Sequence, residues 1–402
     1  MNVSCCRVAK VLLLAGAVAF TVCSAFGAEP AGHSRSKEPK ATTEYYVSPT
    51  GSDRNDGSRR HPWGSLAAAE GRIEPGAVVH VAPGTYTSSS EIKLTSSGIP
   101  GARITYVSDA PWGAKLIGNA SGNSTVVWIQ GSYVDFRGFD MTGAGTMGIY
   151  VTGSNDRIIG NHVHNIPATG CKAGAGILNG NYKDGHDVDI VNNVVHDIGD
   201  YGRPCALVHG IYSANQGGHI LNNVVFRNQG WGIHTWHAAS NVVIANNTVF
   251  NNAYGGIIVG AGDGNWTNDN SLVANNIVYR NGLVPGAKGN GIEEYGRTGK
   301  HNQYLNNLVF NNGPSDWRLQ NGNAQRGGIS AEPQFINYTG DEKGDYRLKD
   351  SSPAKKAAAP AVHGRWFEEG ILPESVRVQL GAELPVTPSS ESQGGRKPKA
   401  SK

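Results

Sequence analysis

LNNVVFRNQGWGIHTWHAASNVVIANNTVFNNAYGGIIVG, residues 221–260, states one phrase twice: an Asn-Asn pair runs into a short apolar triplet, then a turn, then Gly-Ile. The same Asn-Asn pair stands at Asn192-Asn193, Asn222-Asn223, Asn246-Asn247, Asn275-Asn276 and Asn306-Asn307, and GNHVHN at Asn161 is a degenerate first member. Successive pairs are 30, 24, 29 and 31 residues apart. A second series interleaves with it: Gly148-Ile149, Gly176-Ile177, Gly210-Ile211, Gly232-Ile233, Gly256-Ile257 and Gly291-Ile292. Two series at one period mark two points on one repeating unit.

Each unit consists of short β-rich runs separated by Gly and Asn, with no apolar spacing of a helix. Asn suits the sharp corners because it tolerates left-handed backbone and bonds its own main chain. Stacked corner asparagines would bond one another from coil to coil. The 55 glycines and few charges agree with many tight turns. The pattern predicts an all-β, single-domain parallel β-helix, each coil burying its apolar side chains against the next.

The ends of the chain read differently. Arg7 and Lys10, the apolar run Val11–Val22 and the small-residue site Ala25-Phe26-Gly27 form a signal peptide over residues 1–27. The protein is therefore expected to be secreted or periplasmic, with a flexible lead-in over 28–43, the β-helix over 44–358, and a cap segment with a basic tail over 359–402. No later segment approaches about 20 continuous apolar residues, so no membrane span is expected. Cys5, Cys6 and Cys23 leave with the signal, and the remaining Cys171 and Cys205 each precede a Gly-Ile glycine by five residues. They share a register in successive coils about 4.8 Å apart, so a disulfide is expected.

The formal charge of +3 includes Arg7 and Lys10 of the signal. It also includes Arg396, Lys397, Lys399 and Lys402 of the tail, and the body without these six groups is slightly acidic. Nucleic acid is excluded as a partner because phosphate contacts need a basic face.

If the isoleucine of each Gly-Ile points inward, alternation turns the next residue outward. The outward column becomes Tyr150, Leu178, Tyr212, His234, Ile258 and Glu293, followed by Thr152, Gly180, Ala214, Trp236, Gly260 and Tyr295. The small residues of 256–262 would form a groove floor. His234, His237, Glu293, Tyr212 and His209, at the groove's edge, are the candidate catalytic groups. Glu294 joins them because alternation buries it, which is costly without a partner. Trp236 and Tyr295 offer flat faces to sugar rings, and Arg297 and Lys300 offer positive charge. His162, His164, His186, His196 and His219 are read as ordinary surface or turn residues.

In NYKDGHDVDI, Asp184 and Asp187 beside Lys183 are candidate ligands for calcium, an oxygen-seeking ion. Cys and His show no zinc-site spacing.

YYVSPTGSDRNDGSRRHPWGSLAAA and PGAVVHVAPGTY near the start resemble the opening of secreted bacterial right-handed parallel β-helix proteins of the pectate-lyase-like superfamily. AEPQFINYTGDEKGDYRLKDSSPAKKAA, residues 331–358, is similar to the closing segment of the same group. The resemblance implies a right-handed coil and a polysaccharide partner, met as a monomer. It points first to a polysaccharide lyase that cleaves a uronate-containing polymer by β-elimination. In that reading His234 or a nearby Lys183, Arg297 or Lys300 takes the proton, and Tyr212 or Tyr295 protonates the leaving oxygen. A glycoside hydrolase and a non-catalytic carbohydrate-binding protein are the alternatives, because the superfamily contains both.

Overall fold

The computed structural model describes residues 42–119 and 125–383. The signal peptide, most of the lead-in and the basic tail lie outside the described residues.

Each coil contributes one strand to each of three parallel sheets. Asp189–Val191 belongs to an eleven-stranded sheet (sheet 1), Val194–Ile198 to a nine-stranded sheet (sheet 2) and Val208–Ser213 to a second nine-stranded sheet (sheet 3). The coils then return to sheet 1 through the longer turns. The predicted inward isoleucines, Ile149, Ile177, Ile211, Ile233, Ile257 and Ile292, stack in register along sheet 3 and are fully buried. Val163, Val195, Val225, Val249, Val278 and Val309 form the matching inward column of sheet 2. Burial of such side chains stabilises by about 1.5–3 kcal/mol each, and the stacked geometry repeats that gain at every coil.

The second asparagine of each pair is the tie at the corner between sheets 1 and 2. Asn193 Nδ2 donates to Asn223 Oδ1 at 3.0 Å, Asn223 to Asn247 at 2.9 Å, Asn247 to Asn276 at 2.9 Å and Asn276 to Asn307 at 2.9 Å. The backbone N–H of each also donates to the next amide oxygen, as Asn223 does to Asn247 at 2.9 Å. A second ladder, Asn228, Asn252, Asn281 and Asn312, repeats the arrangement between sheets 2 and 3. The first asparagine of each pair instead takes the left-handed backbone, with φ from 51° to 60°.

Those outer asparagines hold the C-terminal segment. Asn192 Nδ2 donates to the carbonyl of Ile371, Asn246 to those of Val376 and Gln379, and Asn275 to that of Ala359. Trp366, Leu372 and Val376 pack on Ile159, Val191, Leu221 and Ala245 of sheet 1. Phe335, Leu348 and Leu380 cover Phe226, Phe250 and Tyr279 of sheet 2. The segment expected to cap an end therefore runs along the flank, where the outer asparagines of successive coils offer it hydrogen bonds. Cys171 and Cys205 are joined as a disulfide with Cα atoms 5.7 Å apart.

Replacing Asn247 with alanine removes an amide that serves four buried partners: Ile220 O, Asn276 Oδ1, and both the backbone and the side chain of Asn223. With about 1–3 kcal/mol for each buried group left unpaired, Asn247→Ala is expected to destabilise by at least about 3 kcal/mol. Chemical denaturation read by circular dichroism checks this.

Candidate active site on the third sheet

The register of sheet 3 sets Tyr150 beside Leu178, then Tyr212, His234, Ile258, Glu293 and Arg318 in one column. The outer surface is not the open groove that alternation suggests. Trp236 lies over the glycine coil so closely that a Cβ at Gly260 would stand 2.6 Å from its ring and one at Gly262 2.1 Å away. Trp231 fills the space above Gly255 in the same way, at 2.4 Å. The glycines of 255–262 thus make room for two indoles from the preceding coil. Trp236 continues into a stack with Tyr295 at 6.0 Å between ring centroids.

His234 sits beneath this cover and is 8% exposed. Its Nδ1 is 3.2 Å from both ring nitrogens of His209, and its ring stacks on Tyr212 at 4.9 Å. Burial pulls the His209 pKa down to about 3. Burial, with His209 and His237 nearby, holds His234 well below the usual histidine range. Both rings are therefore neutral at pH 7 and weakly basic, which suits a wall of the site better than a proton acceptor. His209, expected at the groove's edge, lies under the surface, 3% exposed.

His237 begins the next turn in left-handed backbone, φ 54°. Asp263, on the turn after the glycine coil, brings a carboxylate oxygen within 2.6 Å of His237 Nδ1, off the direct line of an N–H bond. The ring stacks on Tyr182 at 4.5 Å and lies 6.1 Å from the Tyr212 ring. Its side chain is 22% exposed, so solvent and ligand reach it. The Tyr212 pKa is pushed up by burial first, and further by the Asp263 charge and Tyr182, so the hydroxyl keeps its proton.

Glu293 and Glu294 point to opposite sides. Glu293 accepts from Asn290 and pairs with Arg318 Nη1 at 3.1 Å. Arg318 is half exposed and lies 5.7 Å over the Tyr295 ring. Glu294 is fully buried and saturated, accepting from Asn302 Nδ2, Tyr304 Oη, Asn323 Nδ2 and the Gln320 N–H at 2.7–3.0 Å. It holds the last coils together and has no access to ligand, which removes it from the candidate site. Arg297 is exposed and anchored to the Gly264 carbonyl, and Lys300 is exposed beyond it.

Among the described residues, Asp184 and Asp187 are not part of a wider cluster of acidic side chains. Calcium takes six to eight oxygen ligands. Asp184 is exposed, Asp187 is paired with His186 at 3.0 Å, and among the described residues no further His, Cys, Asp or Glu side chain completes a group of three with them. Asp263, Tyr182, Trp231 and Arg318 escaped the sequence reading. The first two lie on irregular turns, and Arg318 belongs to a two-residue strand beyond the last repeat. Trp231 alone carried a signal, since it adjoins Gly-Ile in the quoted stretch.

The depressed histidines make acid stability testable. Their folded pKa values lie below the unfolded 6.5, so the unfolded chain binds more protons between about pH 6.5 and 3. Their contribution is full above pH 6.5 and lost as pH falls toward 3. His209→Gln is expected to flatten the fall in melting temperature between pH 7 and pH 4 relative to the parent chain, measured by differential scanning calorimetry.

The family model described as the Pel9A-like right-handed β-helix region matches residues 45–323. The uncharacterized protein YwoF of Bacillus subtilis (strain 168) is 27% identical, over 59% of this chain and 68% of its own length. Pectate lyase L of Dickeya dadantii (strain 3937) is 26% identical over 59% of this chain, which spans 58% of that protein's length. A crystal structure of pectate lyase Pel9A superposes with a TM-score of 0.50 at 18% identity, covering 86% of this chain and 97% of that one. That likeness speaks for the fold, the first matches more than half of the sequence, and together with the stacked sheets they assign the chain to the Pel9A-like right-handed β-helix family.

Proposed function

We propose that the protein is a polysaccharide lyase that cleaves a uronate-containing chain by β-elimination on the outer face of sheet 3. The observation that carries this is the His237–Asp263 contact at 2.6 Å beside a tyrosine held in its protonated form. The similarity to pectate lyase L supports the reaction class.

Asp263 stands against His237 Nδ1, which leaves Nε2 as the nitrogen that accepts a proton. His237 Nε2 takes the C5 proton of the uronate. The C5–H electrons form the C4–C5 double bond as the bond from C4 to the glycosidic oxygen breaks. The Tyr212 hydroxyl donates its proton to that oxygen. Exchange with water then returns a proton to Tyr212 and removes one from His237. Arg318, already beside Glu293, faces the uronate carboxylate and lowers the cost of the carbanion-like transition state. Tyr295 and Trp236 stack against sugar rings, with Tyr182 flanking the histidine. His234 and His209 form the neutral, packed wall behind Tyr212.

This assignment shifts the proton acceptor from His234 to His237, because the former is buried and weakly basic while the latter is accessible and stands beside a carboxylate. A hydrolase needs two carboxyls facing one bond, about 5–9.5 Å apart, and the saturation of Glu294 denies it that pair at the IEEY segment.

The test is absorbance of new 4,5-unsaturated uronates with alginate, pectate, glucuronan and glycosaminoglycans, with and without calcium. Activity is expected on at least one polymer. His237→Ala is expected to lower kcat by ~10²–10⁴-fold, and Tyr212→Phe by at least ~10²-fold. His234→Gln should cost less than either. New reducing ends without absorbance would replace the lyase by a hydrolase. Binding without either product would make the protein a carbohydrate-binding β-helix.

A further inference from the structure

His162, His164 and His196, given no role from sequence, meet on the outer face of sheet 2. His162 and His164 come from one strand, His162–Ile166, and His196 from the next, Val194–Ile198. Ring centroids are 4.1 Å apart for His162 and His164, 5.0 Å for His162 and His196, and 5.3 Å for His164 and His196. One ligand atom from each lies within 4.8 Å of the others. The cluster is mostly buried, with side-chain exposures of 19%, 17% and 5%.

The hydrogen bonds fix which nitrogens carry protons. His162 Nδ1 lies 2.8 Å from Asp140 Oδ1, and His196 Nδ1 lies 2.7 Å from Asp197 Oδ2. A carboxylate accepts only, so both imidazoles hold their protons on Nδ1. With both rings neutral, their Nε2 atoms face each other at 2.8 Å as two lone pairs, and a proton or a metal ion between them relieves that. Two acceptors at that distance repel unless a cation stands between them. A carboxylate behind the imidazole, with the other nitrogen aimed at a shared point, is the outer-shell arrangement of metal-bound histidine.

We propose that His162, His164 and His196 bind one divalent transition ion, of the imidazole-preferring class that includes Zn²⁺, Ni²⁺ and Cu²⁺. His162 and His196 need little movement, and His164 must leave Asp140 and close on them. A tetrahedral ion at about 2.0–2.1 Å from each nitrogen separates them by about 3.3 Å, so the Nε2 atoms part by about half an ångström. His164 Nε2 now donates to Asp140 Oδ1 at 2.9 Å. It turns its lone pair to the ion when the proton moves to Nδ1, where Asn165, rotated about its last side-chain bond, offers its amide oxygen. Asp140 and Asp197 orient the ligands, and Trp112, stacked on His162 at 4.6 Å, shields one side. The site stands on a different sheet from the proposed active site and does not depend on that assignment.

The repeat supplies a variant that keeps the fold. His164 and His196 are in register with Phe226, Phe250, Tyr279 and Phe310, an aromatic column on the same face. His196 already stacks on Phe226 at 4.6 Å. His196→Phe and His164→Phe therefore extend the existing stack.

Untagged protein, stripped with EDTA, is titrated with ZnCl₂ in a calorimeter, and Co²⁺ loading is followed by ligand-field absorption. One equivalent of Zn²⁺ is expected, with a higher melting temperature and nitrogen-ligated tetrahedral Co²⁺ bands. His196→Phe is expected to lose binding by at least ~100-fold, and Asp140→Asn to weaken it by ~10–100-fold. His164→Phe serves if His196→Phe does not fold. Failure of the parent chain to bind either metal, as a proton shared between the Nε2 atoms requires, overturns the proposal. So does Zn²⁺ affinity unchanged in the folded histidine variant.

Discussion

From Asn161 to Asn307, each coil is tied to the next by a buried carboxamide that has no water to turn to. In the ladder from Asn161 to Asn307, each amide accepts from the coil before and donates to the coil after, so removing one leaves partners on both sides unpaired. This constraint fixes where each corner falls, and the corner fixes the register of the strands that follow. With the period of side-chain direction equal to two residues, a slip of one would expose the isoleucine column. Along these coils the ladder thus holds each residue against a predictable neighbour on the next coil.

A site on such a scaffold is made by substitution within columns and by the turns that overhang them. On sheet 3 one column carries Tyr212, His234 and Glu293, while the adjacent coil is reduced to glycine and small aliphatics so that Trp231 and Trp236 can lie across it. Packing turns His234 into a buried neutral ring. The overhanging turns bring Asp263 to His237, which keeps contact with solvent. Sheet 2 solves a different problem: its outer aromatic column is sealed by Phe335, Leu348 and Leu380, and histidine appears at the two positions of the column before the phenylalanines begin.

The parts legible in the sequence are those set by period. The two repeat series gave the coil, the inward isoleucines, the sheet 3 column and the register of Cys171 with Cys205. What alternation could not give is how far a large ring from one coil leans over another, so His234, His209 and Glu293 looked exposed and are not. It could not give partners from irregular turns either: Asp263 for His237, and Asn302, Asn323 and Gln320 for Glu294, lie in segments without a repeat. The flanking course of residues 359–383 was hidden for a related reason, since its anchors are the outer asparagines of four separate coils, Asn192, Asn222, Asn246 and Asn275. The histidine cluster did have a signal, because GNHVHN and NNVVHD put histidine where the later repeats put aromatic carbon rings.

In the proposed reaction a uronate chain lies across sheet 3 with its reacting carbon at His237. A crystal structure of the Tyr212→Phe protein with an oligouronide of the preferred polymer tests this most directly. The expected result is a sugar chain stacked along Trp236 and Tyr295, with one C5 within about 3.5 Å of His237 Nε2 on the side away from Asp263. A chain bound on another sheet, or one on sheet 3 whose C5 atoms all lie beyond reach of His237, would contradict it.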